Sequence, residues 1–127
     1  MMNEIIKMYE NAGVKKINTH QSEIDNDDPR FTGISHSDSY IKYPPFTAKK
    51  QLELIKWLCT DENYISIIVD YGLWKLNYHR EFYSYDNPNA IKGRSELSFE
   101  ESLANLINNL WQDLTEEERK QIKEILK

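Results

Sequence analysis

The residues of this chain best suited to holding a ligand or a partner fall between positions 78 and 94: Tyr78, Arg80, Phe82, Tyr83 and Arg94. Aromatic faces interleaved with guanidinium groups can stack on a base or on a partner's ring while neutralising its charge. Trp74, Tyr78 and Phe82 recur every four residues, which on a strand places them on one face, most simply as core. Arg80 interrupts that apolar face. It marks either the rim of a sheet or a buried anion site.

Other chemically capable groups fail on spacing. Glu23-Ile24-Asp25-Asn26-Asp27-Asp28-Pro29 has the acid density of a calcium loop, but such a loop needs Gly at its sixth position and Glu at its twelfth. Counted from Asp25, those positions hold Arg30 and His36. A looser metal site could draw on His20, Asp25, Asp27, His36 and Asp38, although a solvated loop explains the stretch better. Ser35-His36-Ser37-Asp38-Ser39 contains every residue type of a nucleophilic triad, yet triad members come from separate elements and meet in space. His79 and Glu81 would share a strand face, where a cross-strand salt bridge is a simpler use than acid–base chemistry. The four glycines include no dinucleotide-binding or phosphate-loop spacing. The sequence therefore points to no catalytic residue, metal site or cofactor.

Composition narrows the class further. The 127 residues suit one domain, 39% hydrophobic and 29% charged, with a formal net charge of −5. Binding to a nucleic-acid backbone needs clustered Lys and Arg, so it is not expected of this chain. Cys59 is the single cysteine; it cannot form an internal disulfide, and its place in an apolar helix suggests a small core residue. No apolar run is long enough for a signal peptide or a membrane span, which gives a cytoplasmic expectation. Lys exceeds Arg, and Ile and Asn are abundant, a bias of AT-rich genomes.

The elements that must position these residues are legible from periodicity. Met2, Ile5, Ile6 and Tyr9 form a helical stripe that Gly13 stops, giving an N-terminal helix within 1–13. Residues 18–46 read as a long polar loop, with a short extended piece at Ser39–Lys42. Residues 47–127 read as an α-β-β-α-α block. Thr47 caps a helix over Ala48–Cys59 whose face is Ala48, Leu52, Ile55 and Cys59, widened by Leu54, Trp57 and Leu58. Tyr64–Tyr71 alternates, Tyr71-Gly72 turns, and a second strand follows from Trp74, so an antiparallel hairpin is expected, one face apolar and one facing solvent or a partner. A third strand from Ser39–Lys42 or Arg94–Leu97 would complete the sheet. Ser98 with Glu101, and Thr115 with Glu118, form capping boxes that open the last two helices. The fold class is α+β: a small antiparallel sheet, built on a central hairpin, packed against three to four helices in a single domain.

Three stretches carry a resemblance: Met8-Tyr-Glu-Asn-Ala-Gly13, Tyr43-Pro-Pro-Phe-Thr-Ala-Lys-Lys-Gln-Leu-Glu-Leu-Ile-Lys-Trp-Leu58, and Phe99 through Arg119 with Trp111 at its centre. Together they resemble small proteins of phages and prophages of low-GC Gram-positive bacteria, over about half the chain. The helix–strand–strand–helix order is similar to a phage-associated α/β sandwich. That resemblance implies an accessory, non-catalytic binding protein that disables a host defence component. It could occlude a host protein, or sequester a nucleotide signal in a pocket that Tyr78, Arg80, Phe82, Tyr83 and Arg94 build at a homo-oligomer interface. An immunity protein that neutralises a co-encoded toxin is the alternative. A small metal-dependent hydrolase using His20, Asp25, Asp27 and His36 is the third reading.

Overall fold

A computed structural model describes residues 3–14, 17–20, 31–34, 39–60, 62–79 and 90–127; for 17–20, 31–34 and 39–42 the description covers backbone pairing alone. The element order is α1 (Asn3–Ala12), β1 (Ile17–His20), β2 (Phe31–Ile34), β3 (Ser39–Lys42), α2 (Ala48–Leu58), β4 (Tyr64–Asp70), β5 (Leu73–His79), β6 (Ile91–Ser95), α3 (Phe99–Leu110), a 3₁₀ turn (Trp111–Asp113) and α4 (Glu116–Leu126). The fold is α+β; the described residues form four α-helices and two antiparallel three-stranded sheets ordered β1-β3-β2 and β4-β5-β6.

The first sheet adds two strands to the sequence expectation of a long loop over 18–46 with one extended piece at Ser39–Lys42. Ile17–His20 and Phe31–Ile34 both pair with Ser39–Lys42. Each strand has four residues, too short for period-two alternation to stand out from a polar background. Both stretches foreseen as a third strand do pair, but in different sheets. Ser39–Lys42 is the centre of the first sheet, and Arg94 and Ser95 belong to the strand that completes the hairpin sheet.

The hairpin sheet and α3 form the centre of the molecule. Leu76 and Tyr78 of β5 are buried with Leu103, Leu106, Ile107 and Leu110 of α3, Leu54 and Leu58 of α2, and Ile122 and Leu126 of α4. Each buried Leu or Ile of this set contributes about 1.5–3 kcal/mol of apolar burial. Close approach of α3 depends on Gly93 in β6, where a Cβ would sit 2.3 Å from the Ser102 carbonyl oxygen and 2.7 Å from Leu106 Cβ. On the other side of α3, Ile5, Met8 and Tyr9 of α1 complete the core, and Tyr43 stacks on Tyr9 at 5.3 Å.

Caps fix the ends of these helices. Gly13, at φ 70, ends α1 with two backbone bonds, Gly13 N–H to Glu10 O and Val14 N–H to Tyr9 O, a Schellman stop. Thr47 Oγ1 accepts from Lys50 N–H, and Thr115 and Glu118 form the reciprocal box at α4. At α3 the box is half formed. Ser98 Oγ accepts from Glu101 N–H, but the Glu101 carboxylate accepts from Ile5 N–H of α1 at 3.2 Å. Glu101 therefore caps a neighbouring helix; at 2% exposure, burial pushes its carboxyl above the usual carboxylate range, against the opposing pull of the Ile5 N–H.

In α2 the tertiary fit selects a different stripe from the expected one. Leu54 and Leu58 are buried, whereas Leu52 is 66% exposed and Cys59 is exposed. The helix stops at Leu58, and Cys59 adopts an extended conformation at its cap. A broad apolar arc does not by itself specify which part turns inward.

Candidate functional site

The backbone geometry of the hairpin determines what each face presents. Two residues connect Asp70 and Leu73, and both have positive φ: 50 at Tyr71 and 80 at Gly72. This is a type I′ turn, which closes on a hydrogen-bonded Asp70–Leu73 pair. Counting back from it, Ile65, Ile67 and Val69 fall at non-hydrogen-bonded positions opposite Tyr78, Leu76 and Trp74. Their side chains lie on the helix-facing side of the sheet. Tyr64, Ser66, Ile68 and Asp70 occupy the outer side, with Leu73, Lys75, Asn77 and His79 of β5 and Lys92 and Arg94 of β6.

A polar row crosses this outer face. Arg94 Nη2 donates to Asn77 Oδ1 at 2.9 Å, and its Nη1 donates to the Leu76 and Gly93 carbonyls at 2.9 and 3.1 Å. Asn77 Nδ2 in turn donates to Ser66 Oγ at 3.5 Å, so side chains of β6, β5 and β4 are linked in line. Beside the row, Lys75 Nζ pairs with Asp70 at 3.1 Å, and His79 stacks on Tyr64 with centroids 4.4 Å apart. Ile68 is 49% exposed and Tyr71, at the turn, fully exposed. The described outer face thus carries Lys75, Lys92 and Arg94 against one carboxylate, Asp70, a cationic surface on a chain of net charge −5.

Tyr71 is the residue sequence reasoning passed over. A bulky side chain at φ 50 is strained, and Asn or Gly would hold the same turn at lower cost. The available signal was the turn itself: Tyr71-Gly72 where a type I′ hairpin favours Asn-Gly. Ile68, Asn77 and Lys92 do not stand out in the sequence because a mixed face reads as ordinary solvated surface.

The residues expected to form a pocket are not all on one side. Tyr78 faces the helices, 3% exposed, and its hydroxyl donates to the Leu58 carbonyl at 2.9 Å. Arg94 lies on the opposite face of the same sheet. Arg80, Phe82 and Tyr83 lie outside the described residues, as does Glu81. Trp74 makes an edge contact with Phe99 at 5.6 Å, while Trp57 donates to Gln121 and Trp111 packs by the Arg119 guanidinium.

A second concave region, about 450 Å³, lies between the end of α1 and α4, lined in part by Trp111, Arg119, Lys120 and Lys123. Its cations have a structural use. Neither α1 nor α3 has a basic residue in its own last turn. Arg119 donates from Nε and Nη2 to the Trp111 carbonyl at 3.1 and 3.0 Å, and Lys123 approaches Gly13 at the α1 terminus. From α4, the two side chains thus place positive charge at the negative ends of neighbouring helices.

Among the described residues no group of three or more His, Cys, Asp or Glu side chains could hold a metal ion, and no helix is long and apolar enough to cross a membrane. The metal ligands considered from sequence lie outside that set: Asp25, Asp27, His36 and Asp38 entirely, and His20 in all but its backbone. No protein-family model, curated protein or solved structure matches the chain.

Proposed function

We propose that this chain is a non-catalytic binding protein that works by occluding another protein, and that the partner sits on the outer face of the β4-β5-β6 sheet. The observation that carries this reading is Tyr71, an aromatic side chain held fully exposed at positive φ at the tip of the hairpin. The type I′ turn holds that backbone, and seating a tyrosine where Asn or Gly would cost less is strain of the kind that clusters at binding sites. Tyrosine is among the side chains that dominate protein interfaces, and half-exposed Ile68 and then Lys92 would extend the contact from the hairpin tip along the outer face with apolar and cationic groups.

Occlusion of a protein is preferred to capture of a nucleotide because Tyr78 is core and the Arg94 guanidinium is engaged by two carbonyls and Asn77. The phage resemblance supplies the proposed context, a host defence component as target. The test is affinity capture from host lysate with wild type, Tyr71→Ser and Ile68→Asp in parallel. A target on this face is retained by wild type and reduced at least about tenfold by Tyr71→Ser, the loss of roughly 1.4 kcal/mol that a hot-spot tyrosine exceeds. Identical captures by all three proteins remove the outer face from consideration.

A further inference from the structure

We propose that two copies of the chain pair through the edge of β4 opposite β5, giving a two-fold dimer with one sheet running β6-β5-β4-β4-β5-β6. Among the described residues β4 pairs with β5 alone. Its edge lacks the devices that normally block strand addition: Tyr-Ile-Ser-Ile-Ile-Val-Asp contains no Lys, no Pro and no bulge in its pairing with β5. Ile67 and Val69 are 47% and 55% exposed on the helix-facing side, beyond the cover of α3.

The type I′ turn selects the occupant. It leaves the N–H and C=O of Ile65, Ile67 and Val69 pointing away from β5, toward the open edge. Antiparallel pairing about Ile67 sets Ile67 opposite Ile67, and Ile65 opposite Val69, of the second copy. Every outward backbone group then meets another outward group, and every helix-facing side chain along the seam meets an apolar one. On the outer side Ser66 falls opposite Ile68. The strand's single charge, Asp70, is already held by Lys75 and reaches Tyr64 at the end of the seam. A register one residue away would oppose outward groups with inward ones, so the strand is self-complementary in this register. A second copy supplies the match without any further requirement of sequence. The pairing does not rest on the proposed function: it uses the edge and leaves Tyr71 and the outer face open.

Light scattering after gel filtration, with the protein loaded at about 100 µM, reads the mass; a seam of one short strand per copy belongs to the weak, concentration-dependent class of contacts below about 1,200 Å². Wild type is expected to run as a dimer, and Ile67→Lys, which opposes two ammonium groups across the seam, as a folded monomer. Because a charge could also disturb folding, a second measurement fixes the register. In a Cys59→Ser background, Ser66→Cys and Ile68→Cys chains are co-expressed and mildly oxidised. Opposed non-hydrogen-bonded residues have Cα atoms about 4.5 Å apart, within disulfide reach, whereas 66–66 and 68–68 pairs are beyond about 7 Å. A covalent dimer from the mixture but from neither variant alone is the expected result. A monomeric wild type at the same loading overturns the proposal, as does a mixture that fails to cross-link.

Discussion

Gly93→Ala isolates the contact on which the sheet–helix packing depends. The added Cβ would lie 2.3 Å from the Ser102 carbonyl oxygen, 2.7 Å from Leu106 Cβ and 3.0 Å from Leu106 N. Two of those atoms are α3 backbone, so no side-chain rotation relieves the overlap. Relief requires lifting α3 from β6, which also disturbs the Arg94 N–H to Asn105 Oδ1 bond at 2.9 Å and the burial of Leu103, Leu106 and Ile107. Overpacking of a rigid core costs about 1–3 kcal/mol and more where backbone must move. The reduced chain entropy of alanine offsets only about 0.4–1 kcal/mol. A net loss of about 3 kcal/mol in a domain of this size lowers Tm by roughly 10 °C, measurable by calorimetry or by circular dichroism at 222 nm. A variant within about 2 °C of wild type would refute the close approach of α3 to β6.

Three other residues test the remaining geometry. Glu101→Ala leaves the Ile5 N–H buried without an acceptor and costs about 1–3 kcal/mol in denaturant unfolding, whereas Glu101→Gln keeps an acceptor oxygen and remains close to wild type. Because the folded value of Glu101 lies above its unfolded one, the group favours the fold most when protonated. That contribution is lost as pH rises through the folded value, so wild type loses Tm relative to Glu101→Gln as pH climbs above the ordinary glutamate range. Tyr78→Phe leaves the Leu58 carbonyl at the end of α2 without its donor and costs about 1–2 kcal/mol, read from urea midpoints at unchanged m value. Tyr71→Asn relieves the left-handed strain and raises stability by roughly 1 kcal/mol, with weaker capture of the partner; a stability loss would contradict the turn assignment.

Where local chemistry decides an element, the sequence predicts it closely. Gly13, Thr47, Tyr71-Gly72 and the Thr115–Glu118 box act through groups a few residues apart, and each stands where the spacing places it. Reading ends where the deciding partner is distant. Ser98 and Glu101 have the spacing of a capping box, yet Glu101 turns to Ile5, 96 residues away, because α1 leaves a buried N–H within its reach. The stripe of α2 that turns inward depends on α4 and on Tyr78. The short strands between Ile17 and Lys42 owe their pairing to one another rather than to a strong periodicity of their own. The candidate site follows the same division. Alternation in β4 and β5 predicted a mixed outer face, but which side Arg94 joins required the β5–β6 register.

That register also gives the outer face its physical character. Arg94 reaches diagonally to Asn77 on β5, and Asn77 directly across to Ser66 on β4, so one chain of hydrogen bonds links all three strands. A solvated surface has no need of such order, since water satisfies each group as well and long side chains lose rotamer entropy when held. The row spends that entropy in the free protein, so a partner docking on this face does not have to order those side chains again. Tyr71 is pre-set in the same sense, its backbone held at positive φ by the hairpin on which it stands. Its exposed ring adds no packing to the fold, so in the free protein the rest of the hairpin sheet carries the strain. An ordered polar row beside a strained, fully exposed aromatic is the arrangement expected of a prepared binding surface, whereas the paired edge of β4 would set two such surfaces side by side.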